Sequence, residues 1–160
     1  MNLLSTLFDN GDMTATPAIG RCCCGKVEVT LLDGMPKSGT HCHCKNCRTT
    51  SGGVGIYFFI LPSSAFSVKG QDELCSYTDL DTASGKPMQR SYCRTCFSCA
   101  VFFASSRSLP VLIAASPPYF AGLFPAESLP PPVVELFTAE CAPWYRLHEG
   151  AAHFEGMPPR

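Results

Sequence analysis

Charged residues are scarce in this chain of 160 residues. Asp, Glu, Lys and Arg make up 16% of it, and 12 basic residues nearly balance 13 acidic ones, for a formal net charge of −1. A protein that holds nucleic acid through phosphate contacts needs clustered Lys and Arg, so this balance argues against that class. So few surface charges also favour association between copies of the chain.

Long apolar runs are missing as well. No stretch approaches the roughly 20 apolar residues of a membrane span. The apolar stretch in residues 1–7 is too short for the hydrophobic region of a secretory signal, and the first basic residue is Arg21. We therefore expect a cytoplasmic protein. Apolar residues nevertheless make up 46% of the chain, which is enough for the core of one domain.

No segment shows the apolar periodicity of an amphipathic helix. Short apolar segments instead recur between Gly, Ser, Pro and Asp, which predicts an all-β fold. Because half of the 14 prolines lie between Pro110 and Pro132, we expect an irregular excursion there, and residues 79–87 are predicted as a loop. The predicted strands are residues 27–32, 54–61, 65–68, 73–77, 88–92, 100–104, 109–115 and 133–137.

Cysteine is what the chain has in excess. Seven of its 11 cysteines fall into three clusters, Cys22-x-Cys24, Cys42-x-Cys44-x-x-Cys47 and Cys93-x-x-Cys96. Two pairs make the four-thiolate set of a structural zinc, and the triplet makes a zinc site with one ligand missing. A position open to another ligand is typical of a catalytic zinc. The sequence therefore predicts one Zn²⁺ for folding and one for chemistry.

The cysteines have two other readings. Disulfides are disfavoured by the odd count and by a reducing compartment. Both metals could instead be structural, with His41, His43 or a spare cysteine as the fourth ligand of the triplet. On an extended chain, Cys22 and Cys24 share one face, and Cys42 and Cys44 share one while His43 turns away. The remaining cysteines are interpreted as small buried hydrophobes: Cys23, Cys75, Cys99 and Cys141.

These motifs carry a family resemblance. Gly20-x-Cys22-x-Cys24-Gly25 is followed by Cys42-His43-Cys44-x-x-Cys47-Arg48, by Ser51-Gly52, and then by Gly70, Tyr77 and Cys93-x-x-Cys96. In order and spacing this resembles the glutathione-dependent formaldehyde-activating enzyme family, which includes the centromere protein V relatives. The resemblance spans residues 18–147, between a predicted loose N-terminal arm (1–17) and a C-terminal tail (148–160).

The resemblance implies a β-tent of stacked antiparallel sheets with two Zn²⁺ ions. The structural zinc would be held by Cys22, Cys24, Cys93 and Cys96, and the catalytic zinc by Cys42, Cys44 and Cys47. There are two departures. The family usually has Gly after the last cysteine, at a position that favours φ > 0, where this chain has Phe97. Cys99 also offers a second pairing, Cys96-x-x-Cys99.

The chemistry of the triplet favours a thiol substrate. Three thiolates make Zn²⁺ a weak Lewis acid, and soft ligation suits a fourth sulfur that then attacks an aldehyde. We therefore expect a carbon–sulfur lyase or synthase that forms or cleaves an S-hydroxyalkyl adduct of glutathione or a similar thiol. Arg48 is the nearest cation for a glutathione carboxylate. The alternative is a non-catalytic zinc module that binds protein or chromatin.

Overall fold

Eleven β-strands in two sheets and one short α-helix form the regular structure of a computed structural model of the chain, which describes residues 16–83, 85, 87–104 and 118–158. The smaller sheet contains β1 (Ala18–Arg21), β2 (Glu28–Leu31) and β5 (Phe66–Lys69). The larger sheet contains β3 (Gly39–Cys42), β4 (Ile56–Ile60), β6 (Leu74–Asp79), β7 (Met88–Cys93), β8 (Cys99–Ala104), β9 (Pro118–Phe120), β10 (Pro132–Leu136) and β11 (Ala152–Phe154). The helix α1 is Lys45–Ser51.

The strand order is β1-β2-β5 in the smaller sheet and β11-β10-β3-β4-β9-β8-β7-β6 in the larger one. The all-β prediction is confirmed, but the sheets are not wholly antiparallel, because β10 runs parallel to both β3 and β11. The chain between β3 and β10 is long enough to return in the same direction, which a parallel pair requires. The predicted C-terminal tail contributes β11 to the edge of the larger sheet.

Six predicted strands correspond to β2, β4, β5, β6, β7 and β8, the segment 133–137 corresponds to β10, and the predicted strand 109–115 lies outside the described residues. The sequence missed β1, β3, β9 and β11. Strand β3 has little apolar alternation, and its position in the sheet depends on pairing with β4 and β10. A Cβ at Gly39 would come within 2.1 Å of the Tyr57 hydroxyl, so glycine at this position leaves room for the Tyr57 side chain to lie across β3.

The short helix α1 was not predicted, although it is not an amphipathic helix, in agreement with the sequence pattern. None of its residues is buried, so it has no apolar face that a sequence pattern could reveal. The start and the end of α1 are instead marked by its capping residues. Cys44 is the N-cap, and Gly52 ends the helix at φ 67°. Within the described residues, no helix has the length and apolar character needed to cross a membrane.

The core has two parts. The main cluster packs the smaller sheet against the larger one and includes Val27, Val29, Leu31 and Phe59, together with Cys22 and Cys93. A second, smaller cluster contains Cys42, Cys44, Ile56 and Phe58. The two groups of cysteines therefore lie in different apolar environments.

Candidate metal centres

Two turns, one from each sheet, bring four cysteines together. Cys22 and Cys24 precede β2, and Cys93 and Cys96 lie at the end of β7 and in the turn after it. Their Sγ atoms all lie within 4.8 Å of one another. Cys24 Sγ is 3.5 Å from the Sγ atoms of both Cys22 and Cys93. Tetrahedral Zn²⁺ with bonds near 2.3 Å would place its sulfurs roughly 3.8 Å apart, so this donor set fits the ion.

The local backbone differs from the extended chain that the sequence predicted around Cys22. The segment after Cys22 is a turn, closed by a hydrogen bond from the Gly25 N–H to the Cys22 carbonyl (2.9 Å), with Gly25 at φ 75°. The Val27 N–H then donates to Cys22 Sγ at 3.2 Å. Turns of this kind aim backbone donors at a sulfur, which stabilises its thiolate form.

The second turn places a phenylalanine where glycine is favoured. Phe97 has φ 58°, and its N–H donates to the Cys93 carbonyl at 2.9 Å. Its side chain is 73% exposed, so little packing compensates for the backbone strain. Cys96 belongs to the four-cysteine group, whereas the side chain of Cys99, the alternative fourth ligand, lies outside the described residues.

The middle cluster is built within six residues of chain. Cys42 ends β3, Cys44 caps α1, and Cys47 lies in the first turn of the helix. The three Sγ atoms lie within 4.8 Å of one another, and all three cysteines are free. Three sulfurs on one side of a point leave one tetrahedral position open. The donor set therefore fits a zinc site that can accept another ligand.

The three thiols cannot ionise independently. Hydrogen bonds from Cys42 and Cys47 lower the pKa of Cys44 to about 2. The hydrogen bond to Cys44 raises the pKa of Cys42 to about 12, and hydrogen bonds to Cys42 and Cys44 raise the pKa of Cys47. The cluster alone thus favours one thiolate that accepts from two thiols. A divalent cation is what would make all three ionised sulfurs stable together.

A second polar group adjoins the middle cluster. His41 and His43, which alternate with Cys42 along the chain, meet Glu135 of β10 and Tyr145. His43 Nε2 is 2.6 Å from Glu135 Oε2, and both residues are fully buried. Burial and the neighbouring His43 lower the pKa of His41 to about 4. No sequence pattern marks Glu135 as a site residue, because a lone Glu in an apolar strand resembles an outward-facing residue.

Arg48 braces the backbone beside the middle cluster. Its Nη1 donates to the His43 carbonyl at 2.8 Å and to the Glu140 carbonyl, and lies 3.7 Å from the Glu140 carboxylate. Its side chain is 32% exposed. Every side-chain contact that Arg48 makes with the described residues uses Nη1, so Nε and Nη2 have no hydrogen-bond partner among those residues.

Comparison with known families and proteins adds one match. A family model described as "Glutathione-dependent formaldehyde-activating enzyme" matches residues 17–140, which include all seven clustered cysteines. A search of curated proteins gave no match.

Proposed function

Because the chain belongs to the glutathione-dependent formaldehyde-activating enzyme family, we propose that it is a zinc-dependent carbon–sulfur lyase or synthase. It acts on glutathione or a similar thiol together with formaldehyde or another small aldehyde. In the synthetic direction the thiol sulfur forms a bond to the carbonyl carbon, the C=O π bond breaks, and the thiol proton ends on the new hydroxyl oxygen. The reverse reaction cleaves the carbon–sulfur bond of the S-hydroxyalkyl adduct.

The observation that supports this proposal is the incomplete donor set of the middle cluster. Cys42, Cys44 and Cys47 would hold the catalytic Zn²⁺, and the group of Cys22, Cys24, Cys93 and Cys96 a structural one. When bound, zinc at a three-thiolate site supplies an open position that suits a sulfur and lowers the pKa of the thiol there. A complete set of four protein ligands could not do this.

Arg48 is proposed to bind a carboxylate of the thiol substrate. It lies in α1 directly after Cys47. Nη1 holds the backbone, and Nε with Nη2 presents the two parallel N–H groups that match a carboxylate. The Glu140 carboxylate 3.7 Å from Nη1 is a partner with which the substrate competes. We propose a reducing compartment, the cytoplasm, as the place of reaction, because the cysteines whose side chains are described are free.

Calorimetry with glutathione and S-methylglutathione tests the proposal. Metal ligation requires a deprotonated sulfur, so glutathione should bind with release of a proton, measured in two buffers of different ionisation enthalpy. S-methylglutathione has no thiol proton and should bind more than about tenfold more weakly. Equal affinity for both ligands without proton release would favour the non-catalytic module.

Arg48→Ala tests the carboxylate contact, with Arg48→Lys as its matched control. The Ala variant should bind glutathione about tenfold or more weakly than the wild type. Lys should restore only part of this affinity, because it keeps the positive charge but lacks the planar guanidinium group. Zinc must be counted in both variants, since Arg48 also braces the His43 carbonyl. Unchanged glutathione affinity in a two-zinc Arg48→Ala protein would remove this role.

A further inference from the structure

We propose that Glu135 is a positioning residue for the middle cysteine cluster. Through the side chain of His43, it fixes the peptide segment that joins Cys42 to Cys44, and thereby the spacing of these two sulfurs. This inference rests on the proposed function, in which these sulfurs hold an exchangeable zinc. Glu135 itself belongs neither to the four-cysteine group nor to the middle cluster.

Hydrogen bonds hold His43 at four of its atoms. Its backbone N–H donates to the Leu136 carbonyl at 2.9 Å, and its carbonyl accepts from Arg48 Nη1 at 2.8 Å. Its ring contacts the Val54 carbonyl through Nδ1 at 3.3 Å and Glu135 through Nε2 at 2.6 Å. The one residue between two metal-binding cysteines is thus fixed in backbone and side chain.

Glu135 is itself held in place by two elements. The parallel register sets it opposite His41 and sets Leu136 opposite Cys42. Its second carboxylate oxygen, Oε1, accepts from the His148 N–H at 2.5 Å. A fully buried carboxylate in a strand costs free energy that an apolar residue would not, so its retention here is consistent with a role in arrangement.

A third metal ion is a weaker explanation of the same residues. His41, His43 and Glu135 could offer three ligand atoms within 4.8 Å. However, Nε2 of His43 and Oε2 of Glu135 are 2.6 Å apart, whereas two ligands of a tetrahedral ion with bonds near 2.0 Å lie roughly 3.3 Å apart. The observed distance is that of a short hydrogen bond between the two side chains.

The test compares Glu135→Gln with Val134→Ala. Gln keeps the size of Glu135 but offers one acceptor oxygen to the two donors, His43 Nε2 and His148 N. Val134 is the buried neighbour of Glu135 on β10 and pairs with Thr40, so Val134→Ala removes packing from the same strand and leaves both Glu135 hydrogen bonds in place. Zinc release to a chromophoric chelator is followed in the intact protein. A fast phase comes from the middle cluster, which is confirmed by its absence in Cys44→Ser, and a slow phase comes from the four-cysteine group.

We expect Glu135→Gln to accelerate the fast phase by about 10–100-fold and to leave the slow phase unchanged. Losses of this size in metal affinity are typical when a residue that hydrogen-bonds to the metal-binding groups is replaced. Val134→Ala should lower the melting temperature without changing the ratio of the fast to the slow zinc-release rate. An unchanged fast phase in folded Glu135→Gln, or equal acceleration in Val134→Ala, would overturn the positioning role alone. Three zincs in the wild type, with one lost in Glu135→Gln, would make Glu135 a ligand and overturn it too.

Two further outcomes are separable. If the wild type shows no fast phase, the proposed function fails, and this inference with it. If Glu135→Gln does not fold, NMR of the wild type labelled with ¹⁵N-histidine replaces it. Removal of the fast-phase zinc should then shift the ring resonances of His43, and unchanged resonances would overturn the coupling between this ring and the cluster.

Discussion

The four-cysteine group and the middle cluster tie together very different lengths of chain. The four-cysteine group joins a turn of the smaller sheet to a turn of the larger one, and its Cys24 and Cys93 are 69 positions apart. Cys22 and Cys93 belong to the main apolar core. The middle cluster spans only positions 42–47, at the end of one strand and the start of one helix, beside the smaller core.

This difference indicates which of the two proposed zinc ions would support the fold. A link between distant segments restricts the unfolded chain more than a link within six residues does. Binding at a site that exists only in the folded chain also adds to the folding free energy. Loss of the long-range site should therefore unfold the protein, whereas loss of the local site should remove chemistry and leave the fold.

The largest effect is expected from Cys93→Ser. Structural zinc contributes on the order of 10 kcal/mol in small domains, comparable with the whole stability of a typical domain. Cys93 is also fully buried. The variant should aggregate or show no cooperative melting by calorimetry. A soluble Cys93→Ser protein that melts cooperatively and retains two zincs would break the contrast. Cys99→Ser is the control, and it should melt like the wild type if Cys96 is the fourth ligand.

Cys44→Ser should have a smaller effect on stability than Cys93→Ser, but it should abolish the proposed activity. Cys44 is the N-cap of α1, where its sulfur accepts from the Cys47 N–H at 3.4 Å. Serine is a preferred N-cap residue, so the helix should persist without the thiolate. We expect a folded protein with one zinc fewer and no formation of the thiol adduct, measured by metal analysis and turnover. Unfolding as severe as that of Cys93→Ser would make the middle cluster structural.

Phe97→Gly, in the turn that carries the four-cysteine group, should produce the smallest change in stability. Relief of a left-handed backbone in a non-glycine residue should raise the free energy of unfolding by about 1 kcal/mol, or the melting temperature by about 2–4 °C. Phe137→Gly is the matched control, because Phe137 has φ 57° but packs against the smaller core, so the lost packing should destabilise the protein. A lower melting temperature for Phe97→Gly would contradict this account of the strain.

The sequence predicted the parts of the site that depend on chemistry and spacing. The three cysteine clusters follow from ligand spacing alone, and the structure brings each predicted set together. The family resemblance marked position 97 as one that favours φ > 0, and Phe97 adopts φ 58° there although it departs from the usual Gly. Strands with a clear apolar pattern, such as β2 and β4, were also predicted from the sequence.

The remaining features depend on tertiary contacts that leave no local pattern. Strand β3 is defined by its neighbours β4 and β10, and its parallel pairing depends on the path of a long connection. Helix α1 has no buried face. Glu135 reaches His43 across 92 positions of chain, and Arg48 reaches Glu140 in the same way, so neither contact could be read from the sequence.

Native mass spectrometry tests the central claim, that one zinc is structural and the other exchangeable, most directly. The spectrum is recorded for the wild type alone, with a mild chelator, and with glutathione. The account predicts two zincs, removal of one by the chelator, and a glutathione adduct on the two-zinc species that the one-zinc species lacks. Two zincs that resist the chelator together, or a glutathione adduct that persists after one zinc is removed, would contradict it.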